Sequence, residues 1–152
     1  MSIDAALSQC PVFQGVPLER SRKLLADAQR RTVHTGEILI DEGVPNEYLH
    51  LVVSGRLRVM LPANDSRFRA VHLADLEAGA ITGEYSAFDK REASARVSAV
   101  ETTELLSLRA SEFAAALDRD PDAAKHVYRN LLELLIERLR AKDAEVDLIM
   151  LV

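Results

Sequence analysis

Between Gly36 and Leu108 the chain never sustains a helical pattern. Its apolar residues come in short runs, Glu37–Ile40, Tyr48–Val53 and Arg56–Leu61, cut by Gly36, Gly43 and Gly55. Short runs rich in Ile, Leu and Val and bounded by glycine read as β-strands joined by tight turns. The segment Pro62–Ser66 reads as a hairpin loop whose next arm is Arg67–Leu73, and two later strands read as Ala95–Val100 and Glu104–Leu108. Many short strands at this spacing fit a small sandwich or barrel.

Helices flank this β-rich middle. Leu24, Leu25 and Ala28 fall at helical spacing within Leu18–Arg30, after the punctuation of Pro11 and Pro17. Near the end, Ser111 is placed to cap a short helix through Phe113 and Leu117, and Pro121 suits the first turn of a second. That second helix carries a wide apolar stripe of Tyr128, Leu131, Leu132, Leu135, Ile136 and Leu139, with Glu133, Glu137, Arg138 and Arg140 on its polar side. With no internal repeat or low-complexity linker, the 152 residues are expected to form one domain: a helical part over 1–30, a β part over 31–109 and helices over 110–152.

Charge and composition narrow the function. Nineteen Lys and Arg against 24 Asp and Glu leave a net charge of −5, a poor balance for neutralising a nucleic-acid backbone, so direct DNA binding is not expected. One cysteine, Cys10, forms no internal disulfide, which suits a cytoplasmic protein. No stretch approaches the ~18 apolar residues of a membrane span. The terminal run Leu148–Val152 is apolar but short and reads as a packing face or a dimer contact. His34, His50, His72 and His126 form no metal-ligand spacing, and no Gly-x-Ser-x-Gly elbow is present, so neither a metal site nor an enzyme is expected. Arg56, Arg58, Arg67 and Arg69 alternate as the solvated face of a sheet would.

The stretch with chemical content is residues 81–97. Gly83 permits close backbone approach, Glu84 begins a short helical turn whose free N–H groups could cradle an anion, and Ser94 offers a hydroxyl from the opposite side. Taken alone, such a segment reads more readily as an ordinary loop between strands than as a binding site.

Three regions in order widen the argument: Phe13–Pro17, the strand pair Leu49–Val59, and the segment from Gly83-Glu84 to Ser94-Ala95. In these the chain resembles the cyclic nucleotide-binding domain family over nearly its whole length. The resemblance implies a mainly β, α+β fold: a jelly-roll-like eight-stranded barrel with N-terminal helices and a long C-terminal helix that closes over ligand. It implies a ligand-binding cassette in which Gly83 and Ser86 present backbone N–H groups to a cyclic phosphate, with Ala87 beside them. Glu84 would accept from the ribose 2′-hydroxyl, and Ser94 and Ala95 would contact the phosphate. The implied ligand is a cyclic nucleotide, cAMP or cGMP, and no further cofactor.

The family's arginine immediately before the Ser-Ala pair is replaced by Ala93. Losing one partner of a desolvated, charge-assisted pair costs about 2–5 kcal/mol, or ~30-fold to several thousand-fold in affinity. Arg91 and Arg96 are the nearby substitutes, while Glu92 adds repulsion toward an anion. The expectation is a non-enzymatic regulatory module with a degenerate phosphate site, acting through a protein partner, a different small ligand, or a homodimer made by its last helix. The alternatives are a cAMP or cGMP sensor using Arg91 or Arg96, and a structural dimer component. Arg138 or Arg140 could act as a lid residue; the family's DNA-reading domain would follow this helix, and the chain ends at Val152.

Overall fold

The structure, a computed structural model, describes residues 2–150, with side chains throughout except at 86, 87 and 145–150. The strands are β1 (Gln29–Val33), β2 (Ile38–Ile40), β3 (Tyr48–Ser54), β4 (Leu57–Leu61), β5 (Val71–Leu76), β6 (Ile81–Thr82), β7 (Arg96–Ala99) and β8 (Thr103–Arg109). They pair in two antiparallel four-stranded sheets, ordered β1-β8-β3-β6 and β2-β7-β4-β5. This is a jelly-roll order in a sandwich, and it corrects the expectation of a closed barrel. No hydrogen-bonded ladder joins the two sheets among the described residues; β6, two residues long, pairs only with β3 and ends its sheet. The chain crosses between sheets at the β3–β4 turn. There Gly55, at φ +94°, lets the backbone pass where a Cβ would lie 2.5 Å from the Thr102 carbonyl oxygen.

Helices α1 (Ile3–Gln9) and α2 (Leu18–Leu24) lie before the sheets, α3 (Ser86–Asp89) within the cassette, and α4 (Ala110–Arg119) and α5 (Pro121–Met150) after them. The expected helix over Leu18–Arg30 stops at Leu24, because Gln29–Val33 is claimed by β8 as a strand. The expected hairpin arm Arg67–Leu73 moves to Val71–Leu76, since Arg67 is held back in the loop: its guanidinium donates to the Pro62 carbonyl at 2.7 Å and to Glu42 at 3.1 Å. Ser111 is not a cap. Arg109 holds the N-cap position of α4 without a side-chain bond, leaving Ser111 inside the helix. Pro121 opens α5 as expected, and Asp120 caps it by accepting from the Ala123 N–H.

Two apolar clusters follow from strand alternation. Leu49, Leu51 and Val53 of β3 face the helices and pack with Phe13, Phe113, Leu117, Val127 and Leu131. Val52, Leu57, Val97 and Leu105 fill the space between the sheets with Val33 and Ile40. Of the four arginines expected to be solvated, three hold acidic partners: Arg56 with Glu101, Arg58 with Asp75, and Arg67 with Glu42.

Candidate functional site

The cassette begins where β6 leaves its sheet. Gly83 has φ +84°, and a Cβ there would lie 2.2 Å from the Tyr48 carbonyl oxygen and 2.9 Å from the Asn46 amide nitrogen. The close approach expected of Gly83 is therefore made to β3. Asn46 fixes that wall by donating to the Tyr48 carbonyl at 2.8 Å and accepting from the Tyr48 N–H at 3.3 Å.

Glu84 follows with only 7% of its surface exposed, an environment in which a carboxylate needs a strong partner. It finds one in Arg138 of α5, whose Nη1 lies 3.1 Å from Glu84 Oε1. The same nitrogen donates to the Tyr85 hydroxyl, and the guanidinium carbon sits 5.5 Å from the centre of the Tyr85 ring. Burial works against the Arg138 charge, but the bond to Tyr85 and the charge of Glu84 outweigh it and raise the guanidinium's pKa. A second contact ties the cassette to α5: Phe88 meets Tyr128 edge to face, with ring centres 5.9 Å apart. The expected helical turn at Glu84 starts later, at Ser86, with Tyr85 before it. The backbones of Ser86 and Ala87 lie in α3; their side chains fall outside the described residues.

The far side of the cassette is a strand-like stretch. Ala93 exchanges backbone hydrogen bonds with the 43–44 turn: Gly43 donates to its carbonyl at 2.9 Å, and its own N–H donates to Val44 at 3.0 Å. Its methyl packs at the edge of the cluster between the sheets. Ser94 is exposed and Ala95 half-buried. The two substitutes for the missing cation differ in fate. Arg96 forms a fork with Asp41, Nε to Oδ1 at 2.8 Å and Nη2 to Oδ2 at 3.3 Å, which lowers the pKa of the carboxyl. Arg91 is exposed, its backbone N–H held by Asp89.

Arg138, read from the sequence both on the polar side of α5 and as a lid candidate, reaches the cassette with 48% of its side chain exposed. Val127, Leu131, Leu134 and Arg138 follow one another at intervals of four, three and four, and the first three pack against the helix-side cluster. Tyr128, Leu132, Leu135, Ile136 and Leu139 remain substantially exposed. Of the six residues in the wide stripe read from the sequence, Leu131 alone lies in the inner row, and the other five form an outer row left open.

Beyond the cassette, Asn130 of α5 donates to the carbonyls of Val12 and Gln14 at 2.9 and 2.8 Å, clasping the 3-10 turn Pro11–Phe13. His50 is buried, its Nδ1 2.7 Å from the Ser107 hydroxyl, and burial drives its pKa down to about 4. Cys10 is buried in the helix-side core, which raises its thiol pKa to about 11. Among the described residues no three His, Cys, Asp or Glu side chains gather as a metal site would require. No described helix is long and apolar enough to cross a membrane.

Comparison with known proteins agrees with this architecture. Residues 30–120 match the family described as "Cyclic nucleotide-binding domain". The Cyclic AMP receptor protein of Thermus thermophilus is 37% identical over 139 residues, covering 91% of this chain and 62% of that protein. The crystal structure of the Thermus thermophilus Catabolite Activator Protein superposes with a TM-score of 0.80 at 36% identity, again over 91% of this chain and 62% of the other. Glutaminase 1 of Bradyrhizobium diazoefficiens is 29% identical over 94% of this chain but only 22% of its own length. The chain therefore spans less than two thirds of each of these relatives.

Proposed function

Because this chain belongs to the cyclic nucleotide-binding domain family, as the match over residues 30–120 shows, we propose that it works as a non-catalytic regulatory module whose phosphate position has lost its cation. The observation that carries this reading is the pairing around Ala93. A methyl stands where the resemblance calls for a guanidinium, and Arg96 is already committed to Asp41 through two hydrogen bonds. Asp41 and Glu42 on the facing turn are already paired with Arg96 and Arg67, and Glu92 adds a carboxylate beside Ala93, so these residues together supply no net positive charge for a phosphate. Gly83, Glu84, Ser86, Ala87, Ser94 and Ala95 remain the residues assigned to line the cassette, and cAMP and cGMP bind weakly there in this reading. Signal passes instead to a protein partner, or to a second copy of the chain along the outer row of α5.

Isothermal calorimetry with cAMP and cGMP tests the reading. The native chain is expected to show no micromolar binding. Ala93→Arg, checked by its thermal melt for an intact fold, is expected to gain at least ~30-fold in affinity. Micromolar binding by the native chain would refute the degenerate site. The similarity to a cyclic AMP receptor and the exposure of Arg91 favour a second reading, a sensor that takes the phosphate with Arg91. In that case Arg91→Ala abolishes binding that the native chain already has.

A further inference from the structure

We propose that Arg138 is an internal latch: the chain's own guanidinium fills the hydrogen-bonding site at Glu84 and Tyr85 and fastens α5 over the cassette without a small molecule. The inference rests on the functional reading above, because a tightly held nucleotide would remove the need for an internal closure.

Glu84 is buried and offers an acceptor that must be satisfied. Tyr85 adds a hydroxyl acceptor and an aromatic face to the same place, and the three features together make a receptor for a flat, delocalised cation. Arg138 reaches it from the inward row of α5, continuing the spacing of Val127, Leu131 and Leu134, so no local distortion of the helix is needed. One turn of chain before it, Leu134 still packs on the core; after it, Lys142 and Asp143 are exposed. Arg138, itself half-exposed, is thus held by its bonds to Glu84 and Tyr85 and not by burial. A ligand that takes Glu84 Oε1 displaces this guanidinium, and doing so removes that hold. A hydroxyl-bearing or cationic small molecule can compete for the carboxylate; a bare phosphate cannot.

Amide hydrogen exchange on the whole chain reads this directly. Arg138→Ala is expected to raise exchange roughly tenfold or more across residues 132–144, as loss of a charge-assisted bond implies. Residues 121–131 keep their protection through Asn130 and the core. N-Ethylguanidinium at millimolar concentration is expected to restore protection in Arg138→Ala, whereas the same concentration of ethylammonium does not. Tyr85→Phe, which leaves Glu84 paired and guards against a misfolded variant, should raise exchange over the same residues by a smaller factor.

Unchanged exchange over 132–144 in Arg138→Ala would overturn the latch and leave the functional reading standing. Micromolar cAMP binding by the native chain, with the exchange result as expected, would overturn the functional reading and keep the latch. Rescue by ethylammonium equal to that by the guanidinium would overturn the assigned cation recognition.

Discussion

Gly83 and Glu84 are neighbours with opposite needs, and both are met by backbone or side chains of the same protein. At Gly83 the left-handed backbone and the 2.2 Å approach to the Tyr48 carbonyl leave no room for a methyl. Gly83→Ala is expected to cost roughly 2–3 kcal/mol, read as a lowered urea midpoint with an unchanged slope. Glu84 was legible as a functional candidate from its place after the glycine. Arg138 was legible as a lid candidate, but its pairing with Glu84 was not, because nothing in the sequence sets the rotation of α5 against the cassette. His50 adds a pH dependence. Its pKa falls from the ordinary 6.5 in the unfolded chain to about 4 in the fold. Between those values the unfolded chain binds a proton that the folded one does not. Stability therefore drops as pH falls from about 6.5 to about 4, by at most roughly 3 kcal/mol. His50→Gln is expected to flatten that window in chemical melts at a series of pH values. Asp75, held down to about 2 by Arg58 and then His72, loses its contribution at lower pH, below the ordinary 3.8 of a carboxyl, so the two effects separate.

At the scale of elements, the sequence pattern revealed those with strong apolar alternation and hid those without it. β3 and β4 were readable from Tyr48–Val53 and Arg56–Leu61. β1 was lost because Gln29, Arg30, Arg31 and Thr32 are all exposed and polar enough to extend the preceding helix on paper. What makes them a strand is the ladder with β8, a partner more than seventy residues away in sequence. β6 has two residues and no periodicity to detect. The division of α5 into inner and outer rows was likewise invisible, since leucine fills both. Asn130 marks the inner side unambiguously once seen. Its amide serves two carbonyls, and Asn130→Ala is expected to cost about 1–3 kcal/mol and to raise exchange in residues 11–16.

For the whole molecule the cyclic nucleotide-binding fold followed from three short motifs, while its sandwich of two sheets needed the pairing pattern. The outer row of α5 belongs to this scale. Tyr128, Leu132, Leu135 and Leu139 recur at intervals of four, three and four, a spacing suited to a helix pair. If that row makes the homodimer, Leu132→Glu with Leu139→Glu should halve the mass seen by light scattering at micromolar concentration, with the melt little changed. A mass equal to one chain in the native protein would remove the homodimer from the proposal. The terminal run Leu148–Val152, read as a packing face or dimer contact, lies outside the described side chains. The clasp of Asn130 on Val12 and Gln14 also has a mechanical meaning. It fixes α5 about 12 Å along the axis from Arg138, at 1.5 Å per residue. A tilt of roughly ten degrees there would swing the guanidinium about 2 Å, enough to break its contact with Glu84.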